Sequence, residues 1–261
     1  MLAALALCAV LTVNAVQLQR TSTVTALDVS QGQSIVFSSG RACAVVDCGG
    51  RSTVEDPGDL AARKLLAQGH RSLDLLVLTH PHDDHVNGVL RLMHWLPVRT
   101  LVIPAAADTT KAPLSDILAL AAVNHTTVVR VDAEQTVTAG GISVHLYPEP
   151  CAGQEDGSMI VLTSIGDYDT LVPGDVDTTA EVKFLSSCTY PSVELLLVGH
   201  HGSKRSTCDA WLDAIAPDAA IISVGYNNYG HPTAETLERL QAHNIPIYRT
   251  DQMGDITVHL S

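Results

Sequence analysis

The sequence predicts an α/β fold: two sheets packed together, with helices outside. Three observations carry that expectation. Short runs rich in Val and Leu recur along the chain, and many are unbroken, as in strands covered on at least one face. These runs come in two batches, each followed by helical stretches. No internal repeat, low-complexity tract or Gly/Ser linker divides the 261 residues, so one large domain is expected.

Taken in order, TVTALDV, SIVFSS and ACAVVDC read as three strands over 23–48, followed by a helix at about 57–69. LDLLVLT (73–79) is a strand, Pro81 marks a turn, and a helix follows at about 85–96. RTLVIP (99–104), a helix at about 113–124 and TVVRVD (127–132) complete the first batch. The second begins with ISVHLY (142–147), SMIVLTSI (158–165) and YDTLVPG (168–174), then a helix at about 178–187. VELLLVG (193–199), a helix at about 207–216 and AAIISVG (219–225) follow. Pro232 introduces a helix at about 233–243, and PIYRT and DITVHL are the last strands.

Composition bounds the function. Hydrophobic residues make up 46% and charged residues 16%, which excludes a disordered chain. Aromatics reach only 4%, so the core is built from Ala, Val, Leu and Ile. With 15 basic against 28 acidic residues the net charge is −13, the wrong sign for gripping a nucleic-acid backbone by charge alone. Any nucleic-acid contact must be local or assisted by a metal or partner. Residues 1–20 open with MLAALALCAVLTVNAV, which has no charge and no basic residue before Arg20. The run lacks the positive start of a secretory signal and is slightly short of the about 20 residues of a full span. It reads as a membrane-proximal segment, either a signal anchor or the end of a transmembrane helix, ahead of a domain at 21–261. The domain would then be extracytoplasmic and membrane-associated, or secreted. None of the 6 cysteines forms a CxxC, so a zinc ribbon is not expected, and most read as small core residues.

The chemistry concentrates in LLVLTHPHDDH, where an apolar strand runs into His80, His82, Asp84 and His85. His80 and His82 alternate by two, so both can point to one side at a strand end. Imidazole and carboxylate together are the usual ligands of Zn²⁺ and similar divalent ions. Other strands deliver donors at their exits: Asp47 after ACAVV, Asp175 after YDTLVPG, and His200 and His201 after VELLLVG. A capping Asp or a hydrogen-bonded His explains any one of these, but not the whole set.

These motifs resemble the metallo-β-lactamase superfamily, through HPHDDH, Asp175 in PGD and the later HHG. They resemble more closely the extracytoplasmic metallo-β-lactamase-like domain of the ComEC family of DNA-uptake channel proteins. LDVSQGQS, VVDCGG, LVPGDV, LLLVGHHGSKRS, YGHP and the terminal RTD carry that likeness in order over nearly all of 24–260. The resemblance implies a four-layer αβ/βα sandwich holding one or two divalent ions, Zn or Mn. It implies His80 and His82 at a first metal, Asp84, His85 and His201 at a second, Asp175 between them, and Asp47 orienting a ligand His. His200, beside His201, would face the substrate or support a ligand.

Two stretches depart from the family pattern. The usual histidine before the strand at 158 is missing; Gln154 or Asp156 falls nearby, and His145 on the preceding strand is a possible substitute. In LDVSQGQS, Ser30 and Gln33 replace a Gly and an Asp, so Gln33 can hydrogen-bond but cannot act as a base. Gln31 and Gln33 are expected behind the ligands or against the substrate. Ser203, Lys204 and Ser206 form a cationic, hydroxyl-rich loop beside the ligands, the expected phosphate contact, and His231 of YGHP could donate to a substrate oxygen. The expected activity is metal-dependent hydrolysis of a phosphodiester, specifically nuclease action on DNA, single-stranded in the first instance, during uptake. Asp47, Asp84 or His231 would handle the leaving-group proton. The alternatives are a hydrolase of a phosphorylcholine ester or lactone, and a non-catalytic metal-stabilised module docked on a ComEC-type channel.

Overall fold

A computed structural model describes residues 21–52, 54–148 and 157–260. The apolar head, Cys8, Cys151, Gln154 and Asp156 lie outside the described residues. Among the described residues, the first sheet has seven strands: β1 (Ser22–Ala26), β2 (Ile35–Ser39), β3 (Ala42–Val46), β4 (Leu73–Val77), β5 (Val98–Pro104), β6 (Thr127–Val131) and, on the far edge, β14 (Ile256–Leu260). Its order is β14-β1-β2-β3-β4-β5-β6. The second sheet comprises β7 (Gln135–Ala139), β8 (Ile142–Tyr147), β9 (Ile160–Ile165), β10 (Tyr168–Val172), β11 (Leu195–Leu197), β12 (Ala219–Ile222) and β13 (Ile247–Arg249), in the order β13-β12-β11-β10-β9-β8-β7. Each sheet is antiparallel on one side and parallel on the other, β3 to β6 in the first and β10 to β13 in the second.

Period-two alternation assigns the faces. On β3, Ala44 and Val46 join the core between the sheets, whereas Cys43 and Val45 face outward. On β11, Leu195 and Leu197 point between the sheets and Leu196 points away. The outer face of the first sheet is covered by α1 (Pro57–Ala67), α3 (Val89–Trp95) and α4 (Leu114–Val123), through Ala61, Leu65, Leu92 and Ile117. Phe184 of α5 (Thr178–Ser187), Trp211 of α6 (Asp209–Ile215) and Leu240 of α7 (Ala234–Ala242) cover the second. Three apolar layers between four structural layers make an αβ/βα sandwich, and sheets buried on both faces explain the unbroken apolar runs.

The structure corrects four elements. The helix expected at 85–96 is two, α2 (Asp83–Val86) and α3, parted at Asn87 and Gly88. A Cβ on Gly88 would sit 2.5 Å from the Gly58 nitrogen, so close packing of α1 fixes a glycine there. The expected helix at 207–216 starts later because Thr207 has φ 59° and the buried Glu181 carboxylate accepts from the Thr207 and Cys208 nitrogens. β7, QTVTA, has little apolar character because it is an edge strand paired only with β8. The end of PIYRT turns into α8 (Thr250–Met253). His145 bonds Thr136 and Glu134 beside that edge, so it is engaged away from the ligand clusters. Cys43 and Cys48 are free thiols in the core, and burial pushes Cys43 up to about 12.

Candidate metal centre

Strand exits converge at one end of the sandwich. Asp47, just past β3, adopts φ 58° and turns its carboxylate under the next strand exit. There it accepts from Thr79 N at 2.7 Å, Thr79 Oγ1 at 2.7 Å, Gln33 Nε2 at 2.8 Å and His85 Nδ1 at 2.7 Å. The loops are held by backbone bonds from Gln33 to Asp84, Gly49 to Gln33 and Cys48 to His85. A Cβ on Gly49 would lie 2.5 Å from the His85 nitrogen, so the glycine at 49 permits this approach.

Two clusters of donors face each other. His80, His82 and Asp175 form the first, and Asp84, His85 and His201 the second; within each, the ligand atoms lie within 4.8 Å of one another. Asp175, between β10 and α5, stands between the clusters. Its Oδ2 is 3.6 Å from His80 Nε2, and its Oδ1 is 3.2 Å from His85 Nε2 and 3.9 Å from His201 Nε2. His201 Nδ1 is 2.9 Å from the Ser223 carbonyl, which can only accept, so this ring nitrogen carries the proton and Nε2 keeps its lone pair. Asp47 accepts from His85 Nδ1 and so turns Nε2 toward Asp175.

The fit to a divalent ion rests on unpaired atoms. His85 Nε2, His201 Nε2 and Asp175 Oδ1 are buried, point at one another and have no hydrogen-bond partner. Buried polar atoms are rarely left so, because each costs about 1–3 kcal/mol. An imidazole–carboxylate set of this composition suits zinc and similar ions.

Charge follows the same layout. Burial opposes ionisation of Asp175, but the imidazoles of His85, His201 and His80 outweigh it and hold the carboxyl well below the usual carboxylate range. Burial likewise disfavours a cation at His85, yet Asp175 and Asp47 beside it raise the imidazole well above 6.5. His80, buried and next to His85, falls well below 6.5, and burial lowers His201 too.

A cleft of about 460 Å³ opens over the clusters, lined by Gln31, His82, Asp84, Asp175, His200, His201 and His231 among others. His200, like His201 a left-handed residue, puts Nε2 3.6 Å from Asp175 Oδ2 and its ring 5.6 Å from that of His231. Burial lowers the His231 imidazole, with His200 and His201 adding to the effect. Gln31 is buried with an unpartnered Oε1.

Two expectations need correction. Asp47 is fully buried with four donors on its carboxylate, so it cannot reach a leaving group. Gln33, buried at its side, donates to Asp47 and so stands behind the ligands, one of the two places expected for it. Ser203, Lys204 and Ser206 do not line the cleft. Ser206 Oγ donates inward to the Val176 carbonyl at 2.6 Å, and Arg239 ties the loop down through the Lys204, Ser206 and Thr207 carbonyls. The cation in the cleft is instead Arg51, directly after the two glycines of VVDCGG. Its only sequence signal was that position, one step beyond a strand exit.

The family model described as the metallo-beta-lactamase superfamily matches residues 27–226. The chain is 28% identical over 249 residues to ComE operon protein 3 of Bacillus subtilis (strain 168), covering 88% of this chain and 32% of that protein. It is 31% identical over 244 residues to competence protein ComA of Neisseria gonorrhoeae, covering 88% and 31% respectively. Both are ComEC-family proteins, and the chain spans about a third of their length. Among solved structures, Zn(2+)-bound PqqB from Methylobacterium extorquens shares the fold with a TM-score of 0.57 at 14% identity, over 91% of this chain and 100% of that one. The matched model, the paired sheets and the ordered donor clusters agree: this chain belongs to the metallo-beta-lactamase superfamily.

Proposed function

We propose that the chain is a metal-dependent phosphodiesterase of ComEC type that cuts DNA, with its metal ligands as the two clusters above. The observation that carries the proposal is the trio of buried, unpaired donor atoms on His85, His201 and Asp175 beneath an open cleft. The competence relatives favour a nucleic-acid substrate over a lactone or choline ester. His80, His82 and Asp175 would hold one divalent ion, and Asp84, His85, His201 and Asp175 the other. Zn²⁺ or Mn²⁺ bound there supplies Lewis acidity and acidifies water beside it.

The protein's own groups do the rest. Asp47 fixes the His85 ring, and the Ser223 carbonyl fixes His201. His231, kept neutral near pH 7 by burial, offers a ring N–H to the phosphoryl or leaving oxygen. Gln31 holds an amide against the same space and orients substrate. The membrane-proximal reading of 1–20 is part of the proposal; among the described residues, no helix is long and apolar enough to cross a membrane.

The test mixes purified protein, Mn²⁺ or Zn²⁺, and single-stranded DNA. Cleavage is expected, falling at least about 10³-fold in Asp175→Ala, the scale of several kcal/mol of transition-state stabilisation. A folded, ion-loaded protein that leaves DNA intact, or that hydrolyses a choline phosphoester or lactone instead, contradicts the proposal.

A further inference from the structure

A second cleft of about 520 Å³ adjoins the first, and the two share one wall residue, Arg51. Asp28, Ser30, Ser52, Glu55, Gly225, Tyr226 and Asp251 belong to the second. Among the described residues, Arg51 is the sole lysine or arginine in either lining. Every other charged side chain there is a carboxylate or a histidine. In a chain of net charge −13, that isolates one cation between the two spaces.

One aromatic ring lies against it, and a second lines the same cleft. The Arg51 guanidinium lies 5.8 Å from the ring centre of Tyr229, close enough for a cation–π contact that steers the side chain. Tyr229 is 58% exposed and borders the metal cleft, while Tyr226 is 89% exposed and borders the second. Exposed tyrosines on a loop without contacts would mean little, but the backbone of this loop is tied down. Thr250 Oγ1 accepts from Val224 N and donates to Val224 O, both at 2.9 Å. Gly225 lies so close to Ser30 that a Cβ would sit 2.4 Å from its Cα. Asn227 donates to the Gly225 and His231 carbonyls at 2.8 Å and accepts from Tyr229 N and His231 N at 3.0 Å. These bonds tie down the loop backbone on both sides of Tyr226, whose ring lines the second cleft together with Arg51.

We infer that the second cleft is a nucleotide subsite for single-stranded nucleic acid: Arg51 takes the phosphate next to the one being cut, and Tyr226 stacks the base beyond it. The position of the cut relative to this subsite rests on the phosphodiesterase reading. Stacking suits the site because every base offers a π-face, and only an unpaired base can lay that face on an exposed tyrosine. One cation over an acidic floor suits a single, local phosphate contact and excludes a long electrostatic groove.

Binding can be measured apart from cleavage. Fluorescence anisotropy of a labelled oligothymidylate, with the full chain in EDTA, is followed against salt. Tyr226→Ala is expected to weaken binding about 10-fold, within the range for one stacked base, and Tyr226→Phe to retain it. Arg51→Ala is expected to weaken binding and to flatten the slope of log affinity against log salt by about 0.7, one phosphate on a single strand. Wild-type affinity in both alanine variants, or equal affinity for a duplex, overturns the subsite. If oligothymidylate binds as expected but Mn²⁺ brings no cleavage, the phosphodiesterase reading falls and the subsite stands. If DNA is cut while both variants bind like wild type, the subsite alone falls.

Discussion

The two donor clusters share Asp175 yet are prepared in different ways. In the second, His85 and His201 are buried, each ring is fixed by an acceptor behind it, and each Nε2 points at Asp175. In the first, His82 is exposed, and His80 Nε2 lies 3.1 Å from His82 Nδ1, so the two rings satisfy one another. An ion entering the second cluster finds ligands already aimed. One entering the first must break a hydrogen bond and order an exposed ring. The lesson is that ligand count alone does not rank sites; what stands behind each ligand does. The second cluster is therefore expected to bind first and more tightly.

The sharpest way to break this contrast is to remove what the clusters share. Asp175→Ala should abolish tight binding at both, and elemental analysis after dialysis would show ion content close to background. Retention of two ions would show that Asp175 is not between them. Next in size, Asp47→Ala should lower affinity at the second cluster about 10–100-fold, the usual cost of losing the group that orients a ligand His. Titration calorimetry would resolve that loss while the weaker phase stays in place; equal loss in both phases would erase the distinction.

A subtler difference is protonic. The ion-free His85 imidazole lies well above 6.5, because Asp175 and Asp47 outweigh its burial, whereas burial puts His80 well below. Filling the second cluster near pH 7 should release a proton from His85, as calorimetry in buffers of different ionisation enthalpy would show. The linked stability follows in sign. Because the folded His85 value is raised, its contribution is complete below 6.5 and disappears as pH rises through the higher folded value. Melting of EDTA-treated protein should thus weaken above neutrality, and a flat profile there would contradict a charged His85. The smallest effect belongs to His82→Ala, which should remove the weaker ion and leave the tighter one unchanged.

Much of this arrangement could be read from residues before any coordinates. Strands buried on both faces give apolar runs that stand out, and donors placed directly after them, as in LDLLVLTHPHDDH, mark the end of the sheet where a site forms. What could not be read depended on which way a side chain turns after its strand. Ser206 looked like a phosphate contact, but its hydroxyl caps the Val176 carbonyl. Arg51 carries no motif of its own, and the fold of the VVDCGG turn is what brings it to the cleft. β7 was hidden for a different reason: an edge strand with one partner needs no apolar face.

Calorimetric titration of metal-stripped protein with Zn²⁺ tests the central claim most directly. Two phases are predicted, with the tighter one missing in His85→Ala and the weaker one missing in His82→Ala. A stripped, folded wild type that takes up no ion, or a tight phase that survives His85→Ala, would contradict it.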